Sequence, residues 1–258
     1  MTKLSLQFAL AVLGGVTVTT SFADVKTDGL WRGTGGAALS ATSGNTQATS
    51  LQLNADGSRA TADDKISLGG VINYAKNKTG GVDQTTSNKW AAFGQYDYNL
   101  SPQLYAFGKL GFESDKQIDL SLRTAVAGGL GYKVINTDPL TFDVFGGLGY
   151  TTDKYSTERT ISSETGTTFS RASVYLGEAS THKLTSTVSF KQRLDLYPGV
   201  SGDKAVLAKF NAGLAVAMTD TLNLTVGVTD TYNSKPADGT KKNDFGLFTG
   251  VNVKFGAL

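Results

Sequence analysis

The sequence predicts an all-β protein, a transmembrane antiparallel up-and-down β-barrel of about 12 strands, preceded by a cleaved signal peptide. Three observations predict this fold class. Apolar and polar residues alternate with a period of two in segment after segment, which is typical of strands with two different faces. The first 23 residues have the features of a secretory signal. No run of 18 apolar residues follows them, which excludes a membrane-spanning helix.

The N-terminus divides the chain into its predicted parts. Lys3 supplies a positive charge, Leu4–Val18 is apolar, and Ser21-Phe22-Ala23 is a small-x-small cleavage site. These features predict a signal peptide over residues 1–23. A periplasmic N-terminal segment, 24–29, and an outer-membrane β-barrel, 30–258, follow from this division.

The alternation is clearest in the stretch Leu120–Thr152. Its two halves, joined by a turn at 135–139, each place apolar residues on one parity and small or charged residues on the other. The apolar parity holds Leu122, Val126, Leu130, Tyr132, Leu140, Phe142, Val144, Leu148 and Tyr150. Such a strand suits a barrel wall with lipid on one side and a polar lumen on the other.

The strands before this stretch repeat the pattern. The first five are predicted at Trp31–Thr42, Gln47–Ser58, Lys65–Asn77, Lys89–Leu100 and Gln103–Glu113. Their outward parities hold, in that order, Trp31 and Leu39, Leu51 and Leu53, Ile66 and Leu68, Trp90 and Tyr96, and Leu104 and Leu110. Each segment is near the roughly 9–11 residues that a tilted strand needs to cross a bilayer.

The strands after Thr152 continue it to the C-terminus. They are predicted at Thr168–Ser180, Leu184–Leu196, Ala205–Met218, Leu222–Tyr232 and Asp244–Phe255. Their outward parities hold Val174 and Leu176, Val188 and Phe190, Val206 and Phe210, Leu224 and Val226, and Leu247 and Val251. The total of twelve is even, so both chain ends are expected on the same side of the membrane.

The connections alternate in predicted length. Residues 78–87, 153–167 and 233–243 are predicted as long polar loops, and residues 101–102, 135–139, 180–183 and 219–221 as short turns. The first connection, 43–46, is short although it lies on the long-loop side. Outer-membrane barrels have short periplasmic turns and longer external loops, so the chain ends are expected on the periplasmic side.

Aromatic residues lie where the two membrane interfaces are expected, as in the girdles of membrane barrels. The predicted girdle consists of Trp31, Tyr98, Tyr132, Phe142 and Phe255 at the inner boundary and Tyr74, Trp90, Tyr150, Tyr232 and Phe245 at the outer boundary. A soluble β-sandwich is the competing fold, but it would gather its apolar residues in an inner core and would need no such rings.

Several stretches identify a family resemblance. They are Ser43-Gly44-Asn45-Thr46, Gly128-Gly129-Leu130-Gly131-Tyr132, Tyr175-Leu176-Gly177-Glu178 with Ser180-Thr181, and the stretch from Phe190 to Pro198. In this order they resemble the salt-induced outer-membrane protein family, a bacterial domain of unknown function, over about residues 30–258. The resemblance implies a Gram-negative outer-membrane location and carries over no catalytic residue. The end of the chain departs from the usual pattern of such barrels, many of which end on an aromatic residue, because Phe255 is followed by Gly256-Ala257-Leu258.

The inward parity predicts the candidate functional residues. The predicted lumen-lining residues are Arg32, Asp97, Lys109, Arg123, Asp143, Arg171, Lys191, Arg193, Asp195, Lys209 and Lys254. Their basic excess predicts a narrow, porin-like passive channel with weak anion preference, because fixed charge in a pore selects the opposite sign. The alternative is a non-conducting structural or surface-interaction barrel whose lumen charges pair with each other. In this alternative, the loop 153–167 is the candidate site of contact with other molecules.

The composition argues against other classes of function. A net charge of +2 does not favour nucleic-acid binding, which needs a strongly basic face. With no cysteine and one histidine, His182, no metal site, cofactor or catalytic residue is predicted. A lipid-acting membrane enzyme is a distant third hypothesis, because His182 falls in the predicted periplasmic turn 180–183. The expected partners are outer-membrane lipid, the barrel-assembly machinery and small ions or solutes.

Overall fold

The computed structural model describes residues 26–42, 47–79, 82–161, 163–202, 204–236 and 241–256. The predicted signal peptide, 1–23, lies outside the described residues, and only residues 26–29 of the predicted segment 24–29 lie within them. No helix within these ranges is long and apolar enough to cross a membrane.

Twelve strands make up the fold. Their bounds are β1 Trp31–Thr42, β2 Gln47–Ala60, β3 Asp64–Thr79, β4 Val82–Asn99, β5 Leu104–Asp115, β6 Leu120–Asn136, β7 Leu140–Ile161, β8 Glu164–Lys183, β9 Val188–Pro198, β10 Val206–Ala217, β11 Leu222–Asn233 and β12 Asn243–Gly256. A single 3₁₀ turn, η1 Lys116–Ile118, connects β5 to β6. All twelve predicted strands are present, and most of them are longer than predicted.

The strands form one closed barrel. Each strand pairs antiparallel with the next in sequence, and β12 returns to pair with β1. The predicted fold class, a closed all-β antiparallel up-and-down barrel of 12 strands, is therefore confirmed. We call the end that holds the start of β1 and the end of β12 the lower end, and the opposite end the upper end.

The closure between β1 and β12 is the shortest ladder of the barrel. It runs over six pairs, from Arg32↔Gly256 to Ala37↔Val251. By comparison, β1 pairs with β2 over its whole length, from Trp31 to Thr42. In the upper half of the closure, the described parts of β1 and β12 therefore hydrogen-bond to one neighbour each.

The two faces of the barrel wall differ as the alternation predicts. Large apolar side chains are exposed on the outside, including Leu39, Ile72, Leu148 and Leu247, of which Leu39 is the most exposed at 78%. The buried polar side chains, among them Thr34, Asp56, Asp153 and Thr225, lie on the opposite parity. A soluble sandwich would show the reverse arrangement, so the structure favours the barrel over its rival.

Two predicted loops are wrong. Residues 78–87 and 153–167 belong largely to hairpins that extend the barrel wall upwards, because β3 reaches Thr79, β4 begins at Val82, β7 reaches Ile161 and β8 begins at Glu164. Their Ser/Thr-rich sequences lack apolar alternation, yet each pair of strands remains paired up to the hairpin end, after one register shift in each ladder. Polar composition in these segments therefore indicates that the wall no longer has an apolar outer face. It does not indicate that the strands end there.

The β7–β8 hairpin packs against the barrel at its upper end. Leu120, Tyr155, Ile161 and Phe169 form a buried apolar cluster there. The Ser156 amide donates a hydrogen bond to the Asp119 carbonyl oxygen at 2.9 Å, which ties the hairpin to the connection between β5 and β6. The loop predicted for surface contact is thus partly an ordered, packed element.

A close approach of β6 and β7 depends on glycine. A Cβ added at Gly147 would lie 2.1 Å from the carbonyl oxygen of Gly128, and one added at Gly129 would lie 2.1 Å from that of Gly146. Both distances are impossible for a real side chain and involve backbone atoms that cannot rotate away. The two Gly-Gly-Leu-Gly-Tyr stretches therefore meet where any larger residue would separate the strands.

Candidate functional site: the charged interior of the barrel

The candidate lumen residues all lie on the strands of the barrel wall. Five of them are buried, namely Arg32, Asp97, Arg123, Arg171 and Asp195. The other six, Lys109, Asp143, Lys191, Arg193, Lys209 and Lys254, are half-buried. Because alternate residues of a strand point to opposite faces, this burial follows from their shared parity with the buried polar residues.

Asp195 joins two cations in the middle of the barrel. Its carboxylate accepts hydrogen bonds from Arg193 Nε at 2.8 Å and from Lys109 Nζ at 3.3 Å. The Tyr175 hydroxyl also donates to Asp195, and Arg193 Nη2 donates to the Tyr175 oxygen at 2.9 Å. Lys109 lies on β5 and Asp195 on β9, so this ion pair crosses the interior.

A second charged group lies towards the upper end. The Glu113 carboxylate lies 2.7 Å from Lys209 Nζ and 3.5 Å from Arg123 Nη1. Arg123 also donates two hydrogen bonds to Asp153, from Nε at 2.6 Å and from Nη2 at 2.9 Å. Arg171 Nη1 lies 3.3 Å from the same carboxylate. The inward parity predicts Arg123, Arg171 and Lys209 as lumen residues, but it contains no information about the carboxylates that they share.

The interior also contains an aromatic cluster that was not predicted. Tyr105, Phe107, Phe145, Tyr175 and Tyr197 are buried together with Leu207, and we call this set the inner aromatic cluster. The rings of Tyr175 and Tyr197 stack at 4.7 Å, and Arg193 lies over the Phe145 ring at 4.7 Å. The alternation predicts a polar lumen, and the structure adds a group of buried aromatic rings to it. These aromatic residues lie on the same parity of their strands as the charged residues, and this shared parity was the signal in the sequence that they face the interior.

The interior is divided into an upper and a lower chamber. The upper chamber has a volume of about 120 Å³ and is lined by Lys109, Glu113, Arg123, Arg193, Asp195 and Lys209, among others. The lower chamber has a volume of about 330 Å³. Its charged lining residues are Asp64, Lys65, Asp97, Lys133, Asp143, Lys191 and Arg193. Phe93 and Arg193 line both chambers, so they stand at the boundary between them.

A third cavity, the lower mouth, opens at the lower end of β1, β12 and the β9–β10 region. It measures about 780 Å³, and its charged lining residues are Lys26, Arg32, Lys183, Lys254 and Asp220. Arg32, which lines this cavity, lies with its Nη2 atom 2.5 Å from Asp28 Oδ2. Hydrogen bonds from Arg32 hold the pKa of the Asp28 carboxyl well below its usual range.

The structure corrects the position of His182. This residue lies in strand β8, and the turn at that point comprises residues 184–187, so the predicted turn at 180–183 is wrong. Its Nε2 lies 3.1 Å from Ser180 Oγ, a distance that would suit a base and a nucleophile. Ser180 is buried, however. It is among the residues that line the lower chamber.

Most of the predicted girdle aromatics are exposed on the outer wall. The exposed ones are Trp31, Tyr74, Trp90, Tyr98, Tyr132, Tyr150, Phe245 and Phe255. Phe142 and Tyr232 are half-buried. Exposed rings on the outer wall are typical of the aromatic girdles of membrane barrels, and Trp90 and Tyr150 lie in the middle of β4 and β7 because these strands extend beyond the apolar part of the wall.

Comparison with solved structures finds other β-barrels at low identity. An outer-membrane channel from Pseudomonas putida F1 is 12% identical with a TM-score of 0.49, covering 92% of this chain and 98% of that one. A NanC porin is 13% identical with a TM-score of 0.44, covering 86% of this chain and 97% of that one.

Comparison of the sequence identifies the family. The uncharacterized protein YdiY of Escherichia coli K12 is 25% identical over 204 residues, which are 79% of this chain and 74% of the relative. The model of the family described as "Protein of unknown function, DUF481" matches residues 35–255. This match confirms the resemblance to the salt-induced outer-membrane proteins. The chain therefore belongs to this family, whose function is unknown.

Proposed function

We propose that this protein is an outer-membrane β-barrel of a Gram-negative bacterium that forms a narrow passive channel with weak anion preference. The proposal includes a signal peptide over residues 1–23, a periplasmic segment over 24–29, and outer-membrane lipid and the barrel-assembly machinery as partners. The apolar outer wall and its exposed aromatic residues support the membrane location. A closed barrel also satisfies the hydrogen bonds that hydrocarbon would leave unpaired.

The observation that carries the anion preference is the charge that lines the interior. The upper chamber is lined by four cationic and two anionic side chains, the lower chamber by four and three, and the lower mouth by four and one. A cationic excess therefore occurs in each of these three cavities, from the lower mouth to the upper chamber. Fixed positive charge raises the local concentration of anions and lowers that of cations.

A second candidate function is a non-conducting barrel. The ion pairs that cross the interior and the inner aromatic cluster favour it, because both reduce the open cross-section between the chambers. A barrel of this kind would act through its lipid-facing wall or its upper hairpins. The two candidates differ in a single measurable property, which is ion flow.

Planar-bilayer recording of the purified protein under a KCl gradient tests the proposal. We expect discrete openings of low conductance and a reversal potential displaced towards the chloride equilibrium potential. A displacement towards the potassium potential would overturn the anion preference. Bilayers that contain folded protein, verified by its heat-modifiable gel mobility, and that show no openings would favour the non-conducting barrel.

A further inference from the structure

Two ion pairs frame the upper chamber by crossing the barrel. Lys109 on β5 pairs with Asp195 on β9 at 3.3 Å, and Glu113 on β5 pairs with Lys209 on β10 at 2.7 Å. Both pairs include residues that line the chamber. The chamber therefore lies between two charged bridges that connect opposite parts of the wall.

The carboxylates of these bridges are shared. Asp195 pairs with Lys109 and Arg193, Glu113 with Lys209 and Arg123, and Asp153 with Arg123 and Arg171. The four cationic side chains that line the chamber, Lys109, Arg123, Arg193 and Lys209, share these three carboxylates, so the cations exceed the anions by one. Charge that is removed from bulk water is costly unless it is compensated. A small anion in the chamber would provide that compensation.

The lysines are the side chains that can turn to such a ligand. If Lys109 releases Asp195, that carboxylate keeps Arg193 at 2.8 Å. If Lys209 releases Glu113, that carboxylate keeps Arg123 at 3.5 Å. A lysine also has a flexible stem and a single compact charge, whereas a paired guanidinium is fixed by its several hydrogen bonds. Each lysine therefore has a mobile ammonium group, and its carboxylate partner would still be paired with an arginine if the lysine moved away.

Small apolar residues form one side of the chamber, beside the aromatic rings of Phe93 and Tyr197. The chamber is lined on β4–β6 by residues with small side chains or none, Ala91, Gly111, Ala125 and Ala127. Leu207 on β10 also lines it. The volume of about 120 Å³ is slightly below the roughly 150 Å³ of a cavity that holds benzene. This size suits a molecule with a few heavy atoms.

We infer that the upper chamber binds a monocarboxylate of two to four carbons, with its carboxylate on Lys109 and Lys209 and its alkyl group against the alanine wall. The inference deepens the proposed function, since it names the class of anion, and it rests on the proposed barrel in the membrane. Binding itself does not require the chamber to conduct.

Calorimetric titration of the full chain in detergent micelles with propionate, in a chloride-free buffer, tests this inference. We expect one site per chain. Lys109→Gln and Lys209→Gln should each weaken binding about tenfold, the loss expected when a charge-assisted hydrogen bond is removed. Lys154→Gln, at an exposed lysine of β7, is the matched control and should bind as the unaltered protein does.

A steric pair of variants separates the cavity from the charges. Ala125→Leu fills the chamber without changing its charge and should abolish binding, whereas Ala106→Leu, on the outward parity of β5 and outside the chamber lining, should retain it. Heat-modifiable gel mobility identifies any variant that fails to fold. If Ala125→Leu does not fold, Ala125→Gly tests the same wall by enlarging the chamber. We then expect the affinity for butyrate to rise relative to the affinity for acetate.

Three outcomes would overturn the inference. They are no binding by the folded protein, equal binding by Ala125→Leu, and chloride binding as tight as propionate binding. Bilayer recording of the same preparation separates the two proposals. Propionate binding without ion flow would overturn the channel and leave this site, and anion-selective flow without binding would overturn this site and leave the channel.

Discussion

The ammonium nitrogen of Lys209 lies 2.7 Å from the Glu113 carboxylate although the two residues are 96 positions apart in the sequence. The pair joins β10 to β5 across the interior of the barrel. Arg123 also contacts Glu113, so one carboxylate balances two cations. The interior is thus fastened by side chains as well as by the backbone ladders of its wall.

Loss of the Glu113 charge should destabilise the barrel. In Glu113→Gln, Lys209 and Arg123 remain close together without the carboxylate between them, and we expect a loss of about 3 kcal/mol, typical of a broken buried ion pair. The temperature at which the folded gel band disappears should fall. Glu158→Gln, at an exposed position of β7, should leave it unchanged. An unaltered transition in Glu113→Gln would show that the bridge contributes no stability.

The glycine contact between β6 and β7 should tolerate no side chain. Gly147→Ala places a Cβ 2.1 Å from the Gly128 oxygen, so the two strands must separate, at a cost of about 1–3 kcal/mol. We expect less folded protein in outer-membrane fractions. Gly108→Ala is the matched control, because its added Cβ would have no atom within 4 Å. Equal yields of the two variants would contradict the close approach.

Arg193 should limit passage between the chambers. It lines both of them and lies over the Phe145 ring. Arg193→Ala removes the side chain at the boundary while Asp195 keeps Lys109, so the single-channel conductance should rise about twofold or more, with weaker anion preference. Arg159→Ala, on the upper hairpin, serves as the comparison. A conductance below that of the unaltered protein would show that Arg193 does not constrict the passage.

The short ladder between β1 and β12 should be the weakest closure of the wall. The chain contains no cysteine, so a single engineered disulfide can be placed without competing thiols. Ala37→Cys with Val251→Cys joins the last pair of the six-pair closure. Leu214→Cys with Val226→Cys joins β10 to β11, which share eleven pairs.

We expect the first disulfide to raise the unfolding temperature more, because it constrains the ladder that has the fewest hydrogen bonds. The gain should be about 2 kcal/mol and should disappear on reduction. Equal gains from the two disulfides would show that opening does not begin at β1 and β12.

The sequence by itself determined the number of strands and the parity that faces inward, but it assigned the buried Asp153 to a loop. The physical reason is that a strand has a period of two, so its two faces can be read from one segment at a time. The same local rule failed at the upper ends of the β3–β4 and β7–β8 hairpins. There the wall has no apolar face, although β3 still pairs with β4 and β7 with β8. Composition reports the surroundings of a strand and not its hydrogen bonds.

Only the tertiary structure decided which inward side chains meet. Asp195 and Lys109, or Glu113 and Lys209, come together because β5 faces β9 and β10 in a closed ring, and the period of two contains no information about contacts across the interior. The same holds for the inner aromatic cluster, whose residues come from β5, β7, β8, β9 and β10. Closure of the barrel places these distant strands opposite each other, and it thereby sets the chambers and their charge.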